Sequence, residues 1–331
     1  MSGPLDVKRV EQGEDQIMTR AIDEGRSRSP WAVVLAGGEG VRLQPLVRWL
    51  YGEDRPKQFC VLLGRRTLLR QTLDRVGLAI PPERTLVIGL ESHTQFLARE
   101  LGDHSGPIVL MQPESRGTAA AVLLAAQWIE GHDPGATVVF FPSDQFVSED
   151  AAFMRQVAEV AGFVQEQPRW TVLLGVQPDE AETEYGWIEP GTYVASRAQW
   201  PLYRVRRFLE KPSRQAAQTL LRDGCLWNTF VFASTSTGLL AAGRECAPIL
   251  ADRLAGLAAC WDGERQQWAM RHAYASAPTV SFSRSVLESC SRPLAVSKVS
   301  GLTWRDLGSP ARALRTMNAM NERTSWSPVV A

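Results

Sequence analysis

The stretch Trp31-Ala32-Val33-Val34-Leu35-Ala36-Gly37-Gly38-Glu39-Gly40-Val41-Arg42-Leu43 starts as an uninterrupted apolar run and ends in a glycine-rich turn. A short run rich in β-branched residues and cut off by Gly-Gly reads as a buried strand over 31–36. Glycines after such a strand permit positive φ and let backbone N–H groups approach phosphate oxygens with no Cβ between them, so the turn is a candidate phosphate cradle. Two familiar phosphate loops are excluded by spacing. The dinucleotide fingerprint G-x-G-x-x-G, counted from Gly38, needs glycine where Leu43 stands, and the Gly-Lys-Ser/Thr of a Walker loop is absent. Arg42 lies just beyond Gly40, and Arg55-Pro56-Lys57-Gln58-Phe59 follows shortly after. A guanidinium clamps phosphate oxygens bidentately and an ammonium acts as a compact point charge, so Arg42 and Lys57 together suit a pyrophosphate leaving group.

Working outward, similar apolar runs recur at 85–89, 108–111 and 136–141, separated by helical patterns at 67–76, 93–101 and the Ala- and Leu-rich 118–130. Strands that are apolar throughout and alternate with helices specify a parallel sheet covered on both faces. Beyond them come a helix near 153–165, a strand at 170–175, more polar strands at 186–189 and 203–210, a helix over 213–222 and a strand at 229–233. The stretch 238–274 reads as mostly helical, interrupted by Pro248. The expected fold is α/β, an open, mainly parallel, Rossmann-like sheet with a substrate region inserted in its second half. Residues 1–29 are a polar extension, 30–310 the domain and 311–331 a short tail.

With 331 residues and 36 basic against 36 acidic side chains, the composition is that of an ordinary globular chain without a general positive field. Affinity for nucleic acid or an anionic membrane through overall charge is thereby excluded, and any polyanion must be met by a few placed cations. No apolar run reaches the length of about eighteen residues that a membrane span needs, and the charged N-terminal stretch is no signal peptide, so a cytoplasmic protein is expected. The five cysteines and four histidines are scattered without ligand spacing, which suggests neither a disulfide framework nor a zinc site.

The segment 35–43, with Pro45-Leu46 and then Pro56-Lys57-Gln58-Phe59, resembles the sugar-1-phosphate nucleotidyltransferase family, and within it the mannose-1-phosphate guanylyltransferases, whose pattern is L-A-G-G-x-G-T-R-L-x-P-L followed by P-K-Q-F. The resemblance runs from about Trp31 to Gly308. Gln112-Pro113-Glu114-Ser115-Arg116-Gly117-Thr118-Ala119 resembles the base-binding E-P-x-x-R-N-T-A, and Pro142-Ser143-Asp144 resembles P-S-D-H. Glu184-Tyr185-Gly186-Trp187-Ile188-Glu189 is similar to T-G-Y-G-Y-I-E, and Phe208-Leu209-Glu210-Lys211-Pro212 to F-V-E-K-P. Leu226-Trp227-Asn228 and Trp304-Arg305-Asp306-Leu307-Gly308 are similar to the start of L-W-N-S and to W-S-D-V-G.

The resemblance implies a nucleotide-diphospho-sugar transferase fold and attack by a phosphate oxygen of mannose 1-phosphate on the α-phosphorus of GTP, giving GDP-mannose and pyrophosphate. A sugar phosphate is mostly dianionic at neutral pH, with a second pKa near ~6, so no general base is needed. The difficulty is charge: at ~4 Å each like-charged pair costs ~1 kcal/mol even in water, and several times more in a dry cleft. By the same resemblance Arg42 and Lys57 are the catalytic cations, and Leu35, Ala36, Gly37, Gly38, Gly40, Gln112, Gly117 and Thr118 hold the nucleotide. Tyr185, Gly186, Glu210, Lys211 and Asn228 hold the sugar phosphate, and Asp144 and Asp306 hold Mg²⁺, a hard cation that takes one or two carboxylates. A homodimer is left open.

The match has departures. Val41 replaces the usual Thr, Gln145 the His after P-S-D, Gln112 the Glu, Gly117 the Asn, and Ser283 the Asp of S-I-D-Y-A-V-M-E. They keep two alternatives in play: a pyrophosphorylase for another nucleotide and hexose phosphate, or a weakened paralogue that binds a nucleotide sugar. The chain stops soon after Asp306, so a monofunctional protein is expected.

Overall fold

The computed structural model describes residues 29–102, 106–261 and 263–319. Nearly all of the extension expected over 1–29 therefore lies outside the described residues. The strands are β1 (Trp31–Leu35), β2 (Thr85–Leu90), β3 (Ile108–Gln112), β4 (Thr137–Pro142), β5 (Phe146–Val147) and β6 (Thr171–Val176). They continue with β7 (Gly186–Arg197), β8 (Trp200–Glu210), β9 (Leu226–Thr235), β10 (Leu294–Val299) and β11 (Trp304–Arg305). Nine of them form one sheet in the order β3-β2-β1-β4-β9-β6-β10-β8-β7, and β5 and β11 form a small antiparallel pair.

The unbroken apolar runs are explained by helices on both faces. Along β1, Trp31 and Val33 enter the core shared with the helix Gly117–His132, while Ala32 and Val34 enter the core under the helices Leu68–Val76, Thr94–Leu101 and Asp150–Glu166. Period-two alternation thus feeds two cores, and no position of the strand is left polar. The pairs β1–β2, β1–β4, β2–β3 and β6–β10 are parallel, as the α/β reading requires. β9 lies antiparallel between β4 and β6.

The inserted region is built on a ribbon. The strands expected at 186–189 and 203–210 extend to 186–197 and 200–210 and pair with each other antiparallel. The ribbon is tied to β10 through Ala295↔Arg204 and to β9 through Trp187↔Trp227, which brings Gly186, Glu210 and the start of β9 together. The additions to the sequence reading include the helix Gln44–Tyr51 directly after the glycine turn, the strands β5, β10 and β11, and the helix Pro310–Ala319. The tail expected from 311 therefore begins as a helix, with Ala313 and Met317 buried against Leu43, Val47 and Leu307. Among the described residues no helix is long and apolar enough to cross a membrane.

Two features set the site at the carboxyl edge of the sheet. β1 and β4 are adjacent and in register, with Leu35 opposite Pro142, so the glycine turn and Asp144 leave the sheet side by side. At the end of β3, the turn 116–119 is laced to the segment 280–282: Val280 N donates to Arg116 O at 3.0 Å, and Ala119 N donates to Val280 O at 3.1 Å. Gly117 sits between them with φ +78°, and a Cβ there would lie 2.3 Å from Val280 O. Both the left-handed backbone and the close approach demand glycine. Gly117→Ala is expected to cost about 2–3 kcal/mol, read as a lower urea midpoint; an unchanged midpoint would show that the 280–282 segment moves aside freely.

Candidate active site

The glycine turn is held from below. Gln58 Nε2 donates to Ala36 O at 2.8 Å and to Gly38 O at 2.9 Å, fastening the turn to the short helix Lys57–Phe59. Gly40 has φ +62°, and a Cβ on it would lie 2.9 Å from Lys57 Cβ. The loop therefore closes directly onto Lys57, whose side chain is only 6% exposed. Its ammonium donates to the backbone carbonyl of Asp306 and lies 3.2 Å from Asp144 Oδ2. At the same carboxyl edge of the β1–β4 pair, Ser143 donates both its N–H and its hydroxyl to Leu35 O, at 3.2 and 2.7 Å. Leu35 and Ala36 thus spend their carbonyls on holding the turn in place.

Gly40, Val41, Arg42, Lys57, Asp144 and Asp306 line one cleft of about 320 Å³. A larger recess of about 700 Å³ lies at the opposite edge, near the start of β4 and the end of β9. Its principal cation, Arg197, is already paired with Glu166 at 2.6 Å, and none of the site residues read from the sequence reaches it.

Asp306 is positioned by its own turn and by the C-terminal helix. Its Oδ1 accepts from Gly308 N at 2.7 Å and lies 3.3 Å from Arg312 NH1, and Leu307 between them adopts φ +51°. The other end of the Arg312 guanidinium binds Glu182, and its Cζ lies 4.7 Å from the Tyr185 ring centroid. Burial, and then the neighbouring Asp306 charge, pushes the Tyr185 phenol up, so it stays a neutral hydrogen-bonding group beside that carboxylate. Glu182 and Arg312 were not singled out from the sequence. Glu182 lies in the acidic run 179–184, which carried a weak signal, whereas Arg312 reaches the site only because its helix docks there.

Gln145, in the place of the family's histidine, is used at both ends by the architecture. It donates to Thr229 O at 2.7 Å and accepts from Trp304 Nε1 at 3.0 Å, tying β9 to β11. Near the end of β3, Gln112 accepts from the Tyr274 hydroxyl at 3.0 Å, and its Nε2 is 3.2 Å from where a Cβ on Gly37 would sit. Thr118 Oγ1 accepts from Phe282 N at 2.8 Å. Gln112, Gly117 and Thr118 are thus brought to the glycine-turn edge and are at the same time engaged by residues 274–282.

The sugar-phosphate candidates gather at the end of the ribbon. Gly186 faces Glu210 across the β7–β8 pair, and Lys211, with φ +51°, donates its N–H to Tyr185 O at 3.1 Å. Asn228 is buried and accepts from Phe230 N at 3.1 Å through Oδ1. Burial raises the Glu210 carboxyl above the ordinary carboxylate value, opposed by Lys211, by a hydrogen bond with Ser283 and by Arg284. The two groups of residues meet at Glu184: its Oε2 lies 2.8 Å from Arg42 NH1 and 3.8 Å from Lys211 Nζ.

Removing Arg312 strands two mostly buried carboxylates, Glu182 and Asp306. Arg312→Ala is expected to cost about 2–4 kcal/mol in chemical denaturation, with Arg312→Lys recovering part of it; wild-type stability in both would mean the pairs contribute nothing. For Glu210 the folded protein holds its proton to higher pH than the unfolded chain. Its stabilising contribution is therefore complete below 4.5 and is lost as pH rises through the raised folded value. Glu210→Gln is expected to gain on the wild type over that rise, and parallel stability–pH curves would contradict it.

Residues 31–323 match the family described as Nucleotidyl transferase. The xanthan biosynthesis protein XanB of Xanthomonas campestris pv. campestris is 31% identical over 288 residues, which are 84% of this chain and 57% of that protein. A mannose-1-phosphate guanylyltransferase of Sinorhizobium fredii is 34% identical over 286 residues, 83% of this chain and 52% of the relative. The chain thus spans little more than half the length of these curated relatives. A solved structure described as a mannose-1-phosphate geranyltransferase from Thermus thermophilus superimposes with a TM-score of 0.74 at 31% identity, covering 89% of this chain and 80% of that one. The family match begins at the first strand and ends beyond the helix that carries Arg312, so it takes in the whole cleft, and the chain belongs to the nucleotidyl transferase family.

Proposed function

We propose that the protein transfers a guanylyl group from GTP to mannose 1-phosphate, releasing pyrophosphate. The reading is carried by the convergence of Arg42, Lys57, Asp144 and Asp306 on one cleft beneath the glycine turn. The choice of GTP and mannose 1-phosphate is supported by relatives named for mannose 1-phosphate, one of them a guanylyltransferase.

The chemistry asks little of the protein beyond positioning and charge. The attacking phosphate oxygen is already ionised, so no catalytic base is required. Arg42 faces the cleft from the rim, half-exposed, where a leaving pyrophosphate would sit. Lys57 is buried beneath it with a fixed ammonium, so its charge is in place before any phosphate arrives. Lys211 would meet the sugar's phosphate, and Glu210 and Asn228 the hexose hydroxyls.

Asp144 and Asp306 fit a divalent cation. Both carry hard oxygen donors to the same cleft, and Asp306 is oriented through Oδ1 by Gly308 and Arg312. These two carboxylates would hold Mg²⁺, whose charge when bound would offset that of the phosphates and fix their oxygens for in-line attack.

The test is pyrophosphate release with Mg²⁺ across a panel of nucleoside triphosphates and hexose 1-phosphates. GTP with mannose 1-phosphate is expected to give the highest kcat/KM; preference for another pair would reassign the substrates, and silence across the panel would overturn the reading. Arg42→Ala is expected to lower turnover by about 10²–10³-fold with Tm little changed, because its ion pair with Glu184 is exposed.

A further inference from the structure

Arg42 and Lys211 belong to different halves of the site, yet both point at one carboxylate oxygen, Glu184 Oε2, at 2.8 and 3.8 Å. The backbone that presents this carboxylate is fixed. Glu182 Oε1 accepts from the N–H groups of both Thr183 and Glu184, at 2.8 and 2.9 Å, its Oε2 is held by Arg312, and its carbonyl accepts from Trp187 Nε1 at 2.8 Å. In the motif Thr-Gly-Tyr-Gly-Tyr-Ile-Glu, which this segment resembles, the corresponding position is glycine and carries no charge at all. A pinned loop therefore delivers an extra anion to the two cations that a pair of phosphorylated substrates must also use.

We propose that Glu184 is an internal competitor for phosphate: its carboxylate occupies Arg42 and Lys211 in the free protein and sets how tightly the cleft holds phosphorylated ligands. The inference rests on the reading of Arg42 and Lys211 as phosphate-binding groups. A phosphate entering between the two cations must either displace the carboxylate or lie beside it, and like charges a few ångströms apart repel in either case. Because Glu184 is 44% exposed, each of its pairs is screened and is worth at most about fivefold in an equilibrium. Glu184 therefore weakens binding without blocking it, which favours release of the pyrophosphate product.

The experiment compares the full chain with Glu184→Gln and Glu184→Gly. Inorganic pyrophosphate is titrated by calorimetry without metal, and KM for mannose 1-phosphate is measured with Mg²⁺. The Kd for pyrophosphate is expected to fall about three- to tenfold in both variants, with KM falling in parallel and Tm unchanged. An unchanged or raised Kd overturns the proposal, since a residue that preorganised Arg42 would weaken binding when removed. So does failure of all three proteins to bind pyrophosphate. Wild-type turnover combined with an unmoved Kd in the variants sinks the competitor alone. A wild type silent on every substrate pair sinks the parent reading, while the shift in Kd still reports on Glu184.

Discussion

The buried ammonium of Lys57 is the interaction on which the rest of the cleft depends. Taking such an ion out of water costs several kcal/mol unless oxygens surround it. The chain supplies them from two distant segments, the Asp144 carboxylate after β4 and the Asp306 backbone carbonyl near the C-terminus. Gly40 closes over the lysine with no side chain in the way, so glycine turn, sheet edge and C-terminal turn are assembled around one positive charge. A site that gathers phosphates needs that charge in place beforehand, because a flexible exposed lysine would have to be ordered each time a phosphate arrives.

A second cation, Arg312, performs the corresponding task on the far wall. It satisfies Glu182 and Asp306 and lies over Tyr185, which in turn packs edge-on against Trp227 and Trp304. Through Glu182 it also anchors the loop that carries Glu184. The sheet edge, the ribbon and the C-terminal helix are therefore coupled by ion pairs near the cleft in addition to their apolar packing.

The departures from the family pattern acquire structural reasons. Gln145 bridges β9 and β11 with its two amide atoms, a task that needs a donor and an acceptor on one side chain. Gly117 leaves room for the carbonyl of Val280. Ser283 places a hydroxyl on Glu210, in a pocket where burial already favours the protonated carboxyl, and an aspartate there would add a second negative charge. Nothing in the structure explains Val41, which is exposed at the rim of the cleft.

Much of the framework was legible in the residues alone. Apolar runs rich in β-branched residues and bounded by turn residues marked β1, β2 and β4, since strands covered on both faces carry no polar alternation, and the glycine turn with Arg42 and Lys57 pointed to phosphate. Polar strands such as the ribbon carried too little periodicity to show their length, and β10, with Ser297 and Lys298 in it, did not stand out. Local sequence determines which segments become strands, turns and candidate ligands, because propensity and side-chain period act over a few residues. Only the tertiary structure decided that β9 runs against its neighbours, that Arg312 reaches Asp306 across the site, and that Glu184 stands between Arg42 and Lys211. Those contacts join residues far apart in the chain, and the energies that select them, burial and charge pairing, exist only once the chain has folded.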